Sequence, residues 1–147
     1  MALKDQLMED LKSAMRDHDE IKKNTVTMIK AAILQVEKDK QITLDENQIL
    51  EIISKEAKKR RESIEEFTNC GRQDLVEQTE KELETIKKYL PEALSAEELE
   101  QIVKDTIAEV GATCIKDMGK VMQAVKAKTT GRAYGKAIND IVKSLLQ

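Results

Sequence analysis

An all-α fold is what this sequence predicts, on three observations. Apolar residues recur at alternating spacings of three and four in one segment after another, which is the period of an amphipathic helix. Only one proline and five glycines interrupt 147 residues rich in Glu, Lys, Leu, Ile and Ala, a composition that favours helix over sheet. The only aromatics are Phe67, Tyr89 and Tyr134, so the core must be aliphatic. A chain of this length makes one or two small domains, and it is long enough to bury a real core.

The first helix is predicted over about residues 2–17, with Leu3, Leu7, Leu11, Ala14 and Met15 on one face. Asp17-His18-Asp19 breaks it and offers a cap for a second helix, whose stripe is Ile21, Thr25, Met28, Ile29, Ala32, Ile33 and Val36. Thr43-Leu-Asp-Glu46 has the form of a capping box, the hydroxyl and the carboxylate each able to bond the other residue's backbone N–H. It opens a long helix with Ile49, Ile52, Ile53, Ala57, Ile64 and Phe67 inward, and Cys70-Gly71 is the turn that follows. Val76, Thr79, Leu83, Ile86 and Leu90 approach the repeat of a coiled-coil seam. Helices at about 44–69 and 72–90 joined by so short a turn predict a long antiparallel hairpin, completing an N-terminal four-helix domain over residues 1–90.

Pro91, the sole proline, ends that pattern. In the LSAEEL that follows it, Ser95 and Glu98 form a capping box while Leu94 and Leu99 occupy the positions of a hydrophobic staple. The helix they start buries Leu99, Ile102, Val103, Ile107 and Val110 and stops at Gly111. Ile115, Met118, Val121, Met122 and Val125 make a shorter helix, capped by Thr113 or by Asp117. Thr129-Thr130-Gly131 is a loop, and Ile138, Ile141, Val142 and Leu145 form the last helix. Residues 95–147 thus predict a small C-terminal three-helix domain.

Charge is unevenly placed along this chain. Residues 111–147 hold seven lysines and arginines against Asp117 and Asp140, a balance of +5 in a chain of net −3, so residues 1–110 carry −8. Four of the five glycines lie in the same stretch, where backbone can approach a ligand closely. Gly119, Lys120, Lys128, Gly131, Arg132, Gly135 and Lys136 are accordingly the candidate nucleic-acid-binding residues, with basic side chains and backbone N–H groups meeting phosphates together. Tight packing and turns in a miniature helical domain explain the same glycines, and composition does not choose between the two. A second basic run, Lys55 to Arg61, is spread by its helix over more than one face and reads as a solubilising surface.

Enzyme readings fail on inventory. His18 is the only histidine and lies on a charged connector, so neither a Cys/His metal cluster nor an H-E-x-x-H site can be assembled. Gly131 to Ala137 departs from a Walker A loop in its glycine spacing and in having Ala after Lys136. No catalytic residue, metal or cofactor is expected. Three scattered rings cannot build a stacking platform for single-stranded nucleic acid. Cys70 and Cys114 match no metal or redox spacing and read as free thiols. With no apolar run approaching the roughly 20 residues that span a bilayer, the expected setting is the cytoplasm, away from membranes.

At Asp117-Met-Gly-Lys-Val-Met122 and Gly131-Arg-Ala-Tyr-Gly135 the sequence resembles the tail domain shared by the YqeY family and the B subunit of the tRNA-dependent amidotransferase. Met28-Ile-Lys-Ala31, Lys58 to Ile64 and Tyr89-Leu-Pro-Glu-Ala-Leu94 resemble the corresponding stretches of free-standing YqeY proteins, so the likeness covers nearly the whole chain. It implies a larger N-terminal helical domain and a small C-terminal one. It also implies affinity for tRNA more readily than catalysis, because that tail is an accessory that contacts tRNA while the amidotransferase's catalytic centres lie in other domains. A family-level label of carbon–nitrogen ligase with glutamine as amido donor is expected, although no residues here are suited to that reaction. The family pattern places Asp where this chain has Tyr134, and Arg132 replaces a Lys. The expected function is a non-catalytic accessory protein that binds tRNA or structured RNA through its C-terminal domain. The alternative is an interaction module docking on an amidotransferase or aminoacyl-tRNA synthetase through the hairpin.

Overall fold

The computed structural model describes residues 2–146. Among the described residues there are seven α-helices and no strand, in agreement with the all-α class: α1 (Leu3–Arg16), α2 (Glu20–Lys40), α3 (Glu46–Asn69), α4 (Gln73–Lys87), α5 (Ala96–Val110), α6 (Met118–Lys128) and α7 (Gly135–Leu146). A single 3₁₀ turn, Ile115–Asp117, precedes α6. The chain divides into two compact units, one ending at Leu90 and the other beginning at Pro91. Each has its own aliphatic core. Leu7, Val26, Ile29, Ile49, Ile53 and Ile86 anchor the first, and Leu99, Val103, Val121, Val125, Ile138 and Val142 anchor the second.

Helix starts follow local chemistry where a capping residue is free to act. The Asp19 carboxylate accepts from the Lys22 N–H at 3.1 Å and opens α2, with His18 turned through φ +55° just before it. Ser95 Oγ accepts from the Glu98 N–H at 3.1 Å and opens α5, and Gly111 closes that helix at φ +67°, a conformation that favours glycine. The capping box expected at Thr43–Glu46 lies two residues later. Asp45 accepts from the Gln48 N–H at 2.8 Å, and the Gln48 side-chain oxygen accepts from the Asp45 N–H at 2.9 Å. The shift has two causes. Leu44 is drawn into the core, its N–H donating to Glu37 at 2.9 Å, and the Glu46 carboxylate accepts the Leu3 N–H at the start of α1 instead. Neither candidate caps α6 with its side chain: Asp117 accepts from the Thr113 N–H at 3.1 Å, bracing the 3₁₀ turn ahead of the helix.

The last expected turn of α4 is not helical, since the helix stops at Lys87. Tyr89 beyond it is buried, and its hydroxyl donates to Asp10 of α1. The basic run in α3 also needs correction. Lys55, Lys58 and Lys59 are solvated as expected, but Arg60 is buried. Arg60 Nη1 donates to Glu56 Oε2 at 2.5 Å, Nη2 lies 3.3 Å from Met28 Sδ on α2, and Nε is 3.8 Å from Glu82 on α4. One guanidinium therefore ties three helices together.

Candidate nucleic-acid interface

The unit that begins at Pro91 has eight acidic and eight basic residues, so it carries no net charge, and the −3 belongs to the residues before it. Within the unit the charges are segregated. Glu97, Glu98, Glu100, Asp105 and Glu109 all lie on α5, while neither α6 nor α7 has an acid in its first turn. The positive end of the α7 dipole is thus left uncompensated by a carboxylate of its own first turn, a condition that favours anions there, whereas Asp117 stands at the N-cap of α6.

The loop from Thr129 to Tyr134 is held by its own hydrogen bonds. The Thr129 and Thr130 hydroxyls donate back to the carbonyls of Val125 and Lys126, and the Arg132 N–H returns to the Thr129 carbonyl at 2.8 Å. Gly131 stands between them at φ +76°. The loop is fastened to the segment ahead of α5 through one residue. The Arg132 carbonyl accepts the Leu94 N–H at 2.9 Å, and Arg132 Nε donates to the Glu92 carbonyl at 3.1 Å. Tyr134 accepts the Ile138 N–H through its carbonyl at 3.0 Å, so it takes the N-cap position of α7. Its phenol has no short acceptor to fold back onto the helix, as Asp would have.

The seven residues predicted from sequence do not form one cluster. Gly131, Arg132, Gly135 and Lys136 come together at the loop and the first turn of α7, where both basic side chains are exposed. Gly119 and Lys120 lie in the first turn of α6, about 15 Å along that helix from the loop at 1.5 Å per residue. Gly119 faces open space, with nothing within 4 Å of where a Cβ would stand. Lys128 is turned to α5, its Nζ donating to Glu109 Oε2 at 2.6 Å and to Thr106 Oγ1 at 3.1 Å. Its charge is partnered within the unit. Sequence reasoning missed Lys126, whose Cε lies 4.0 Å from the position of a Cβ on Gly135. It is ten residues before Lys136, but the loop folds the last turn of α6 back beside the first turn of α7. Lys126, Arg132 and Lys136 therefore make the basic corner. Among the described residues no group of three His, Cys, Asp or Glu side chains is placed to hold a metal ion, and no helix is long and apolar enough to cross a membrane.

Residues 4–146 match the family model described as Yqey-like protein, and the chain belongs to the YqeY family. Among curated proteins it is similar to Altered inheritance of mitochondria protein 41, mitochondrial, of Pyrenophora tritici-repentis, 30% identical over 142 residues that cover 92% of this chain and 78% of that protein. Proteins of the same name from Lachancea thermotolerans and Eremothecium gossypii are 41% and 42% identical over 95 and 97 residues, covering 64% and 63% of this chain. The chain spans about half the length of these two, 51% and 52%.

These relatives overturn the cytoplasmic expectation, since they are named as mitochondrial proteins. The expectation drew on the lack of a membrane-spanning run and on cysteines read as free thiols, and Cys70 and Cys114 are free and exposed. Reduced thiols report a reducing compartment, however, and do not say which one.

Proposed function

We propose that this protein is a non-catalytic accessory factor whose C-terminal three-helix unit binds tRNA or a similarly folded RNA. The observation that carries the reading is the exposed basic corner of Lys126, Arg132 and Lys136 around the first turn of α7. Cations, a helix N-terminus and a loop stiffened by its own hydrogen bonds suit phosphate contacts, which position a nucleic acid without reading its sequence. Gly131 and Gly135 keep side chains away from the approach, and Lys120 with Gly119 supplies a further contact along α6. Lys128, engaged by Glu109, contributes least. About four phosphate contacts give a log–log salt dependence with a slope magnitude of about three to four.

The N-terminal unit repels RNA by its net charge, and α3 with α4 reads as an antiparallel hairpin that presents this side to protein. An amidotransferase or aminoacyl-tRNA synthetase is the partner class implied by the likeness of the tail. The RNA reading is tested by titrating tRNA into wild type and an Arg132→Glu/Lys136→Glu variant at low salt. A loss of at least about tenfold is expected for the variant, about 1.4 kcal/mol for two phosphate contacts reversed in sign. Equal affinity of the two proteins, or no binding by wild type, overturns it. For the partner, a co-purifying synthetase or amidotransferase should survive nuclease treatment.

A further inference from the structure

We propose that the groove between α1 and α2 is a docking site for an acidic amphipathic helix of a partner protein. The groove is about 450 Å³ and has an apolar floor of Leu7, Leu11 and Ile33. Its lips are Met8 and Leu34, which are 42% and 51% exposed although both are large and apolar. Such side chains at the edge of an apolar cleft stay exposed at a cost unless something covers them. Methionine is suited to that role because its flexible thioether adapts to differently shaped partners.

The charges around the groove identify the occupant. Lys30 lines it, and Lys23 and Lys38 continue the stripe of Lys30 and Leu34 by their spacing along α2; Lys4 also lines it, with its charge met by Glu37. The one acid in the lining, Glu37, is already engaged by Lys4 Nζ at 2.7 Å and by the Leu44 N–H at 2.9 Å. Lys30, by contrast, has Met8 Sδ at 3.5 Å as its contact and no carboxylate partner among the described residues. An apolar trough with a lysine rim, on a unit that is acidic as a whole, selects a helix with apolar residues at i, i+3/i+4 and i+7 and acids on its flanks.

Two other occupants fit less well. A membrane surface is met by a protruding apolar face, and this site is concave. Two grooves of the same kind face to face would oppose lysine rims, and outside α1 and α2 no helix of the described chain exposes two large apolar side chains.

The test uses the full chain and a fluorescent synthetic peptide with Leu at helical i, i+4 and i+7 positions flanked by Glu. Saturable anisotropy binding is expected, at least about tenfold weaker with Leu34→Glu, as follows from losing one buried leucine contact. Binding should weaken with Lys30→Glu, with added salt, and with a scrambled peptide of the same composition. Both substituted residues are solvent-accessible, and unchanged circular dichroism confirms folding of the variants. As a second measurement, the Met8 methyl signal should shift on peptide addition while that of Met118 stays. The proposal is overturned by absent binding, by equal binding of the scrambled peptide, or by an unaffected Leu34→Glu variant. It is also overturned if the face that Leu34→Glu disables proves to bind anionic phospholipid vesicles or a second copy of the chain in sedimentation.

Discussion

Replacing Arg60 with Met should destabilise the N-terminal unit by about 3 kcal/mol, the lower end of the 3–5 kcal/mol lost when one member of a buried ion pair is removed. The geometry sets the figure. The side chains of Arg60 and Glu56 are 8% and 9% exposed and meet at 2.5 Å, so the variant leaves a carboxylate in a poorly solvated place. Lys59, 3.3 Å from the other Glu56 oxygen, softens the loss, but it is 68% exposed and largely screened by water. Glu82, at 3.8 Å and 21% exposed, relaxes toward solvent at little cost. A Glu56→Leu/Arg60→Met double variant removes both charges and fills the space with carbon, so it should lose less than either single change. Urea denaturation followed by helix circular dichroism, with the two units fitted as separate transitions, measures the cycle. With an m-value of about 1–3 kcal/mol/M, the single variant moves its midpoint by about 1 M or more. A single-variant loss under about 1 kcal/mol, or strictly additive effects, would refute the view of Arg60 as a buried tie.

Three further perturbations have signs that the fold sets. The Glu37 carboxyl is held below its ordinary value of 4.5, first by the Lys4 hydrogen bond and then by the Leu44 N–H, against the opposing effect of desolvation. A depressed acid contributes stability above its unfolded pKa and loses it as pH falls through the folded one, so Glu37→Gln should flatten the acid limb of the stability curve below about pH 4.5; parallel limbs would show that the Lys4 contact is idle. Burial, with the hydrogen bond to Asp10 second, pushes the Tyr89 phenol well above its ordinary value of 10.0. Its stabilising effect is complete below that value and fades as pH rises toward the folded pKa. In a Tyr134→Phe protein no phenolate absorbance should develop at about pH 11 while the helix signal persists. Gly119→Ala, on an open helical position, should stabilise the second unit by about 0.5–1 kcal/mol, whereas Gly111→Ala, at φ +67°, should destabilise it by about 1 kcal/mol. Thermal melts distinguish the signs.

Several helix ends were legible from local signals, though not that of α6, where the Asp117 carboxylate turns back to the Thr113 N–H. Asp19, Ser95 and Gly111 act on backbone groups within four residues, and their chemistry needs no tertiary partner. Glu46 misled because its carboxylate is claimed by the Leu3 N–H, 43 residues earlier in the chain. Arg60 misled for the same reason, since a basic run gives no hint that Glu82 and Met28 arrive from other helices. In the basic corner, Gly131, Arg132, Gly135 and Lys136 were visible as a contiguous string. The approach of Lys126 depends on how the loop turns, and the withdrawal of Lys128 depends on Glu109 and Thr106 one helix away. Sequence spacing carries none of that information.

The anchoring of Arg132 gives this loop something that a lysine in the same place could not. The Arg132 guanidinium is fastened through Nε to the Glu92 carbonyl, and its two terminal nitrogens have no hydrogen-bond partner within the described chain. The side chain is thus held in place by the fold itself. Ordering a long side chain on binding ordinarily costs about 0.5–1.5 kcal/mol, and here folding has already supplied much of that order. A lysine keeps the charge but has a single terminal ammonium, which cannot hold the Glu92 carbonyl and present a planar fork at once. An Arg132→Lys change would keep the charge of this loop while giving up the anchored planar guanidinium.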